Sequence, residues 1–226
     1  MNLTKKIAEK QDNLNELTVK GWKNKGLNFR RALRQEASEA MDSTPWKWWK
    51  SGELDKENLR VEAVDMVHFA MSILLQEEYF MWDWIDERVR DAMRQEYPYS
   101  DDILVEKIED TIDEIILMTF TAGKTSDAQT VDIYLKVMAL AKMLGMSYED
   151  VYKAYFAKNV LNEFRQKNGY KEGFYSKLWF GKEDNVYAQE AAANLEISQT
   201  FEDDLYKALE EKYREYNKYV EEEKAR

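Results

Sequence analysis

Residues 61–75, VEAVDMVHFAMSILL, are apolar on nearly every side of any helix they form. Such a helix has no solvent face and holds its shape only when other helices wrap it, so about Asp55 to Glu78 reads as the central rod of a bundle. The rest of the chain agrees with that frame. Only two prolines, Pro45 and Pro98, and eight glycines punctuate 226 residues, far too few for the turns of an all-β fold. The expectation is all-α: a helical bundle forming a single domain over 1–226.

Residues 2–20 predict an amphipathic helix with Leu3, Ile7, Leu14 and Leu17 near one face, and VKGWKNKGLN a loop. A second helix is expected from about Phe29 to Asp42, stopping because Pro45 pushes Thr44 out of helical geometry. Residues 79–115 carry a charged run, WDWIDERVRDAMRQEY, a break at Pro98, and a helical pattern through Ile103, Ile108, Ile112 and Ile115. They read as a smaller helical lobe inserted into the bundle. MTFTAGKTSD, 118–127, reads as a loop, followed by helices at 127–144 and 148–167 that end at Gly145 and Gly169. An irregular segment is expected over 170–190 and a final amphipathic helix over 201–222.

Charge and composition narrow the chemistry. With 33 Lys+Arg against 44 Asp+Glu the net charge is −11, which argues against a general nucleic-acid surface. A nucleotide accompanied by Mg²⁺ stays open. The absence of cysteine removes disulfides and thiolate-bound zinc and fits a reducing cytoplasm. No leader-like apolar core and no stretch of roughly 20 apolar residues is expected to enter a membrane.

On the second helix Glu36, Glu39 and Asp42 are spaced at threes, a pattern that alone describes an ordinary solvated face. The third helix changes its meaning. Glu62 and Asp65 repeat the spacing, His68 follows three further on, and Asp65 falls inside the arc of Val61, Val64, His68, Met71 and Leu75. Carboxylates on a buried helix are costly unless a cation or a hydrogen-bond network satisfies them. Two short acidic rungs would supply four hard oxygen ligands, suited to Mg²⁺, Mn²⁺ or Ca²⁺. A structural salt-bridge cluster is the plain alternative.

Lys158, Asn162 and Arg165 lie on one polar stripe, and Tyr170, Lys171 and Lys182 follow beyond the helix. In an acidic chain that stripe suits a phosphate chain, unless it is only a solvated face. PWKWWK places three tryptophans after the acidic helix, and Gln11 and Asn15 sit one turn apart, so amides to pair with a pyrimidine edge and an indole to cover it are both present. AGKTS lacks the upstream glycine of a phosphate loop, since position 118 is Met. A di-iron carboxylate bundle wants Glu-x-x-His on two helices, which one histidine cannot provide.

QDNLN, ExxExxD followed by PWKWWK, RVEAVDMVHF, and KNVLNEFRQKNGYKEG running into LWFGKEDN occur in an order that resembles the dimeric dUTPases of the all-α nucleoside triphosphate pyrophosphatases, and more distantly the phage dCTPase-dUTPases. The resemblance covers most of residues 8–185. It implies hydrolysis of dUTP to dUMP and pyrophosphate, acceptance of dUDP, and a homodimer. It further implies two or more Mg²⁺ ions at Glu36, Glu39, Glu62 and Asp65, with Glu39 accepting the water proton. Gln11, Asn15 and Trp49 match the base site. His68 and Phe69 match the deoxyribose site, where a packed ring disfavours a ribose 2′-hydroxyl. Lys158, Asn162, Arg165, Tyr170 and Lys171 match the phosphate contacts, with Lys182 added. A broader pyrophosphatase for dCTP and dUTP, and a non-catalytic helical scaffold, are the rival expectations. Asp42 has no assigned role.

Overall fold

The computed structural model describes residues 1–78, 81–97, 101–120 and 127–224. Among them the helices are α1 (Leu3–Thr18), α2 (Phe29–Asp42), α3 (Lys56–Gln76), α4 (Trp82–Arg94), α5 (Asp101–Phe120), α6 (Asp127–Met143), α7 (Tyr148–Lys167), α8 (Asp184–Asn194) and α9 (Phe201–Lys224). A two-residue hairpin, β1 (Leu178–Trp179) with β2 (Lys182–Glu183), is the sheet content of these residues. The all-α expectation holds. None of the helices is long and apolar enough to cross a membrane.

The chain divides into two compact units, Met1–Val151 and Tyr152–Arg226, the division falling within α7. In the first, α3 is the central rod and packs on α1, α2 and α6. Leu59, Met66, Val67, Met71 and Leu74 are fully buried along it, each such side chain contributing about 1.5–3 kcal/mol. Local signals start the helices around it. Asn2, Asn28 and Asp55 are the N-caps of α1, α2 and α3, their side-chain oxygens accepting from the backbone N–H groups of Lys5, Arg31 and Asn58. The stretch read as an inserted lobe supplies α4, packed on α1 and α6, and most of α5, packed on α2 and α6.

Two expectations are corrected. Met118–Phe120 continue α5 rather than opening a loop. Arg34 of α2 donates to Thr119 Oγ1 at 2.9 Å and to the Thr119 carbonyl at 3.4 Å, and its guanidinium covers the Phe120 ring, a tertiary cap invisible in local sequence. The other part of that loop, 121–126 with its AGKTS, lies outside the described residues, as does the break at Pro98. On α1, Leu17 is exposed, and the buried row is instead Leu3, Ile7, Gln11 and Asn15.

The second unit holds most of α7, the hairpin, α8 and α9. The irregular segment expected over 170–190 contains the hairpin and the start of α8, which the sequence reading missed. Gly169 ends α7 at φ +84°, and Tyr170 N–H reaches back to the Arg165 carbonyl at 3.0 Å, the closure a left-handed glycine permits. At the hairpin turn Phe180 and Gly181 both have positive φ, as a tight two-residue turn demands. Phe164, Tyr175, Trp179 and Tyr213 pack their rings 5.2–6.2 Å apart to make the core of this unit.

Candidate metal and nucleotide site

On α2 the apolar row Leu33, Ala37 and Ala40 is buried against α3. Glu36 therefore stands at the edge of that contact, half-buried. Across it, Glu62 and Asp65 stand half-buried on α3, one turn apart. One carboxylate oxygen from each of Glu36, Glu62 and Asp65 lies within 4.8 Å of the others. All three donors are hard, anionic oxygens from rigid helices, the donor set that Mg²⁺ and Mn²⁺ take. The residues present fit such an ion.

Glu39, expected as a fourth ligand, is not among these converging oxygens. It is exposed and accepts a hydrogen bond from Gln35 Nε2 at 2.9 Å. Spacing put Glu39 on the acidic stripe, but it could not reveal that Gln35, one turn back, holds its carboxylate. Asp42 faces the tryptophan segment, pairing with Lys47 at 2.6 Å. That hydrogen bond and the ammonium charge hold its carboxyl below the usual range.

Gln11, Asn15 and His68 are brought together in the interior of the first unit. Gln11 Oε1 lies 2.9 Å from His68 Nδ1, Gln11 Nε2 donates to Asn15 Oδ1 at 2.9 Å, and Asn15 Nδ2 donates to Ser72 Oγ at 3.0 Å. This network explains why amides can occupy the buried row of α1: they bond to each other and to His68 and Ser72 of α3. Phe69, next to His68, is half-buried. Trp49 is 59% exposed and is met edge-on by Trp46 at 5.4 Å and Trp48 at 5.5 Å, which leaves it an open aromatic surface on a braced loop.

In the second unit, Lys158 and Asn162 are half-buried on α7, while Tyr170, Lys171 and Lys182 are exposed. Arg165 has a partner that sequence reasoning missed. Its Nε and Nη2 donate to the two oxygens of Asp184 at 2.8 and 2.7 Å, and Nη1 donates to Asn162 Oδ1 at 3.3 Å. Asp184 is fully buried and also accepts from the Tyr175 hydroxyl at 2.8 Å. Burial works against the Arg165 charge, yet the Asp184 hydrogen bonds and charge outweigh it and raise its pKa. Arg165 is thus a fixed cation whose orientation is set from behind. The signal was in the sequence, an acid at the first position of α8, but α8 itself was not foreseen.

Among these groups, Glu36, Glu62 and Asp65 could hold a metal ion. The dUTPase family model matches residues 3–170. The chain belongs to the dUTPase family. It is accordingly an enzyme that hydrolyses dUTP. The converging carboxylates, the amide network and Trp49 all lie inside the matched span, whereas Lys171, Lys182 and Asp184 lie beyond it. A comparison with curated proteins finds no match.

Proposed function

We propose that this dUTPase-family enzyme is Mg²⁺-dependent, that Mn²⁺ can substitute, and that it converts dUTP to dUMP and pyrophosphate and dUDP to dUMP and phosphate. Both reactions break the same α–β phosphoanhydride bond. The observation that carries the reading is the convergence of Glu36, Glu62 and Asp65 oxygens within 4.8 Å. These three, joined by Glu39, would hold the metal, which supplies Lewis-acid neutralisation of phosphate oxygens when bound.

The chain's own groups do the remaining work. Glu39 accepts the proton of the attacking water. Lys158, Arg165 and Lys171 offset negative charge that builds on the phosphates, with Asn162, Tyr170 and Lys182 as further contacts. Gln11 and Asn15 read the pyrimidine edge, Trp49 covers its face, and His68 with Phe69 closes around the deoxyribose, disfavouring a 2′-hydroxyl. The enzyme acts as a cytoplasmic homodimer in this reading, as the resemblance to the dimeric dUTPases implies.

The test is release of pyrophosphate or phosphate from dUTP, dUDP, dCTP, dTTP and UTP, with and without Mg²⁺. Turnover of dUTP and dUDP only with metal is expected, UTP being poor. Equal kcat/KM for dCTP and dUTP would favour the broader pyrophosphatase, and full metal-free turnover would defeat the proposed mechanism.

A further inference from the structure

The network linking Gln11, Asn15, Ser72 and His68 has a direction, and that direction starts from an atom with one possible role. The main-chain carbonyl of His68 can only accept, and Ser72, with a single proton, donates to it at 2.9 Å. The Ser72 oxygen is then an acceptor for Asn15 Nδ2 at 3.0 Å. Asn15 consequently turns Oδ1 toward Gln11 Nε2, and Gln11 turns Oε1 toward His68 Nδ1, which must carry a proton. Reversing one amide sets acceptor against acceptor or donor against donor at its neighbours. Gln11, Asn15 and Ser72 are 3%, 8% and 0% exposed, so such a mismatch is costly.

We propose that Ser72 is a positioning residue that fixes the polarity of the Gln11–Asn15 amide pair, and through it the pyrimidine edge the enzyme accepts. The inference rests on the reading that the base docks on these amides. A uracil edge runs acceptor, donor, acceptor through O4, N3–H and O2, whereas a cytosine edge begins with the N4 donor and continues with two acceptors. Amides locked in one polarity match one edge and leave mismatched groups against the other, the condition for strong discrimination. Amides free to turn accept both. Ser72 is the one hydroxyl in the otherwise apolar run FAMSILL.

The experiment compares kcat/KM for dUTP and dCTP, with Mg²⁺, in the full chain, in Ser72→Ala and in Ser72→Thr. The dUTP/dCTP ratio is expected to fall about 10-fold or more in Ser72→Ala and to return to within about 3-fold of the parent in Ser72→Thr. Equal losses for both substrates, with the ratio unchanged, would mean that Ser72 only fills space and would overturn the proposal. A second readout needs no variant. His68 is the only histidine, so ¹⁵N-histidine labelling reports one imidazole, and its neutral form is expected to carry the proton on Nδ1. A neutral ring protonated on Nε2 would reverse the direction of the network and overturn the proposal. Absence of dUTP turnover in the parent enzyme would instead defeat the docking reading, leaving the imidazole measurement to decide the polarity.

Discussion

Asp65 in the first unit and Asp184 in the second are both carboxylates drawn away from water on helices, and their surroundings differ in kind. Asp65 has two further carboxylates, Glu36 and Glu62, brought within 4.8 Å of it by two packed helices. Asp184 is gripped by both arms of Arg165 and by the Tyr175 hydroxyl, inside a shell of aromatic rings. Gathering like charges makes a place for a divalent cation. Pairing an acid with a guanidinium makes a self-contained joint, whose value is structural and orientational. The first unit therefore gathers acids where a metal ion could sit, while the second pairs its buried acid with a fixed cation.

That contrast is broken most forcefully by Asp184→Ala. Removing the acid strands a largely buried guanidinium, and a loss of about 3–5 kcal/mol is expected in urea unfolding. A loss below about 1 kcal/mol would show that Arg165 does not depend on it. Asp65→Asn should do the opposite: dUTP kcat/KM falls at least about 100-fold, while metal-free stability moves by less than about 1 kcal/mol. Comparable stability losses in the two variants would erase the distinction.

The division explains what was legible in the sequence. α2 and α3 were readable almost to the residue because Pro45 and apolar spacing mark them, and the acids singled out on them include three whose oxygens converge, Glu36, Glu62 and Asp65. Spacing does not say which partner the Glu39 carboxylate takes, and it accepts from Gln35. The amides of α1 were recognised as a pair, but not as members of its buried row, because Leu14 and Leu17 offered a more obvious apolar face. In the second unit α8 begins at Asp184, its N-cap residue Glu183 making no side-chain capping bond, and the Arg165–Asp184 pair spans a separation of 19 residues through a hairpin. Local pattern carries neither signal.

A smaller effect sharpens the picture within the first unit. Burial alone would raise the Asp86 carboxyl, but the Thr4 N–H at 3.0 Å, the Tyr148 hydroxyl at 2.7 Å and Arg90 at 2.8 Å together hold it below the usual carboxylate range. A folded-state value below the unfolded one stabilises fully above the unfolded pKa, near about pH 4, and the gain disappears as pH falls through the folded value. Thermal unfolding of Asp86→Asn is expected to show a flatter acid limb below about pH 4 than the parent. An unchanged limb would remove Asp86 from the acid transition. Smallest of all, Asn28→Ala removes the N-cap of α2 and should cost about 1 kcal/mol, with dUTP turnover kept within about 2-fold; a cost near zero would show that packing on α3 alone holds that end.

The most direct test of the central claim is Mn²⁺ binding, followed by electron paramagnetic resonance in the presence of a non-hydrolysable α,β-imido dUTP analogue, for the parent chain, Asp65→Asn and Glu36→Gln. The account predicts saturable binding in the parent that either substitution weakens at least about 10-fold. Undiminished binding in both variants would contradict it.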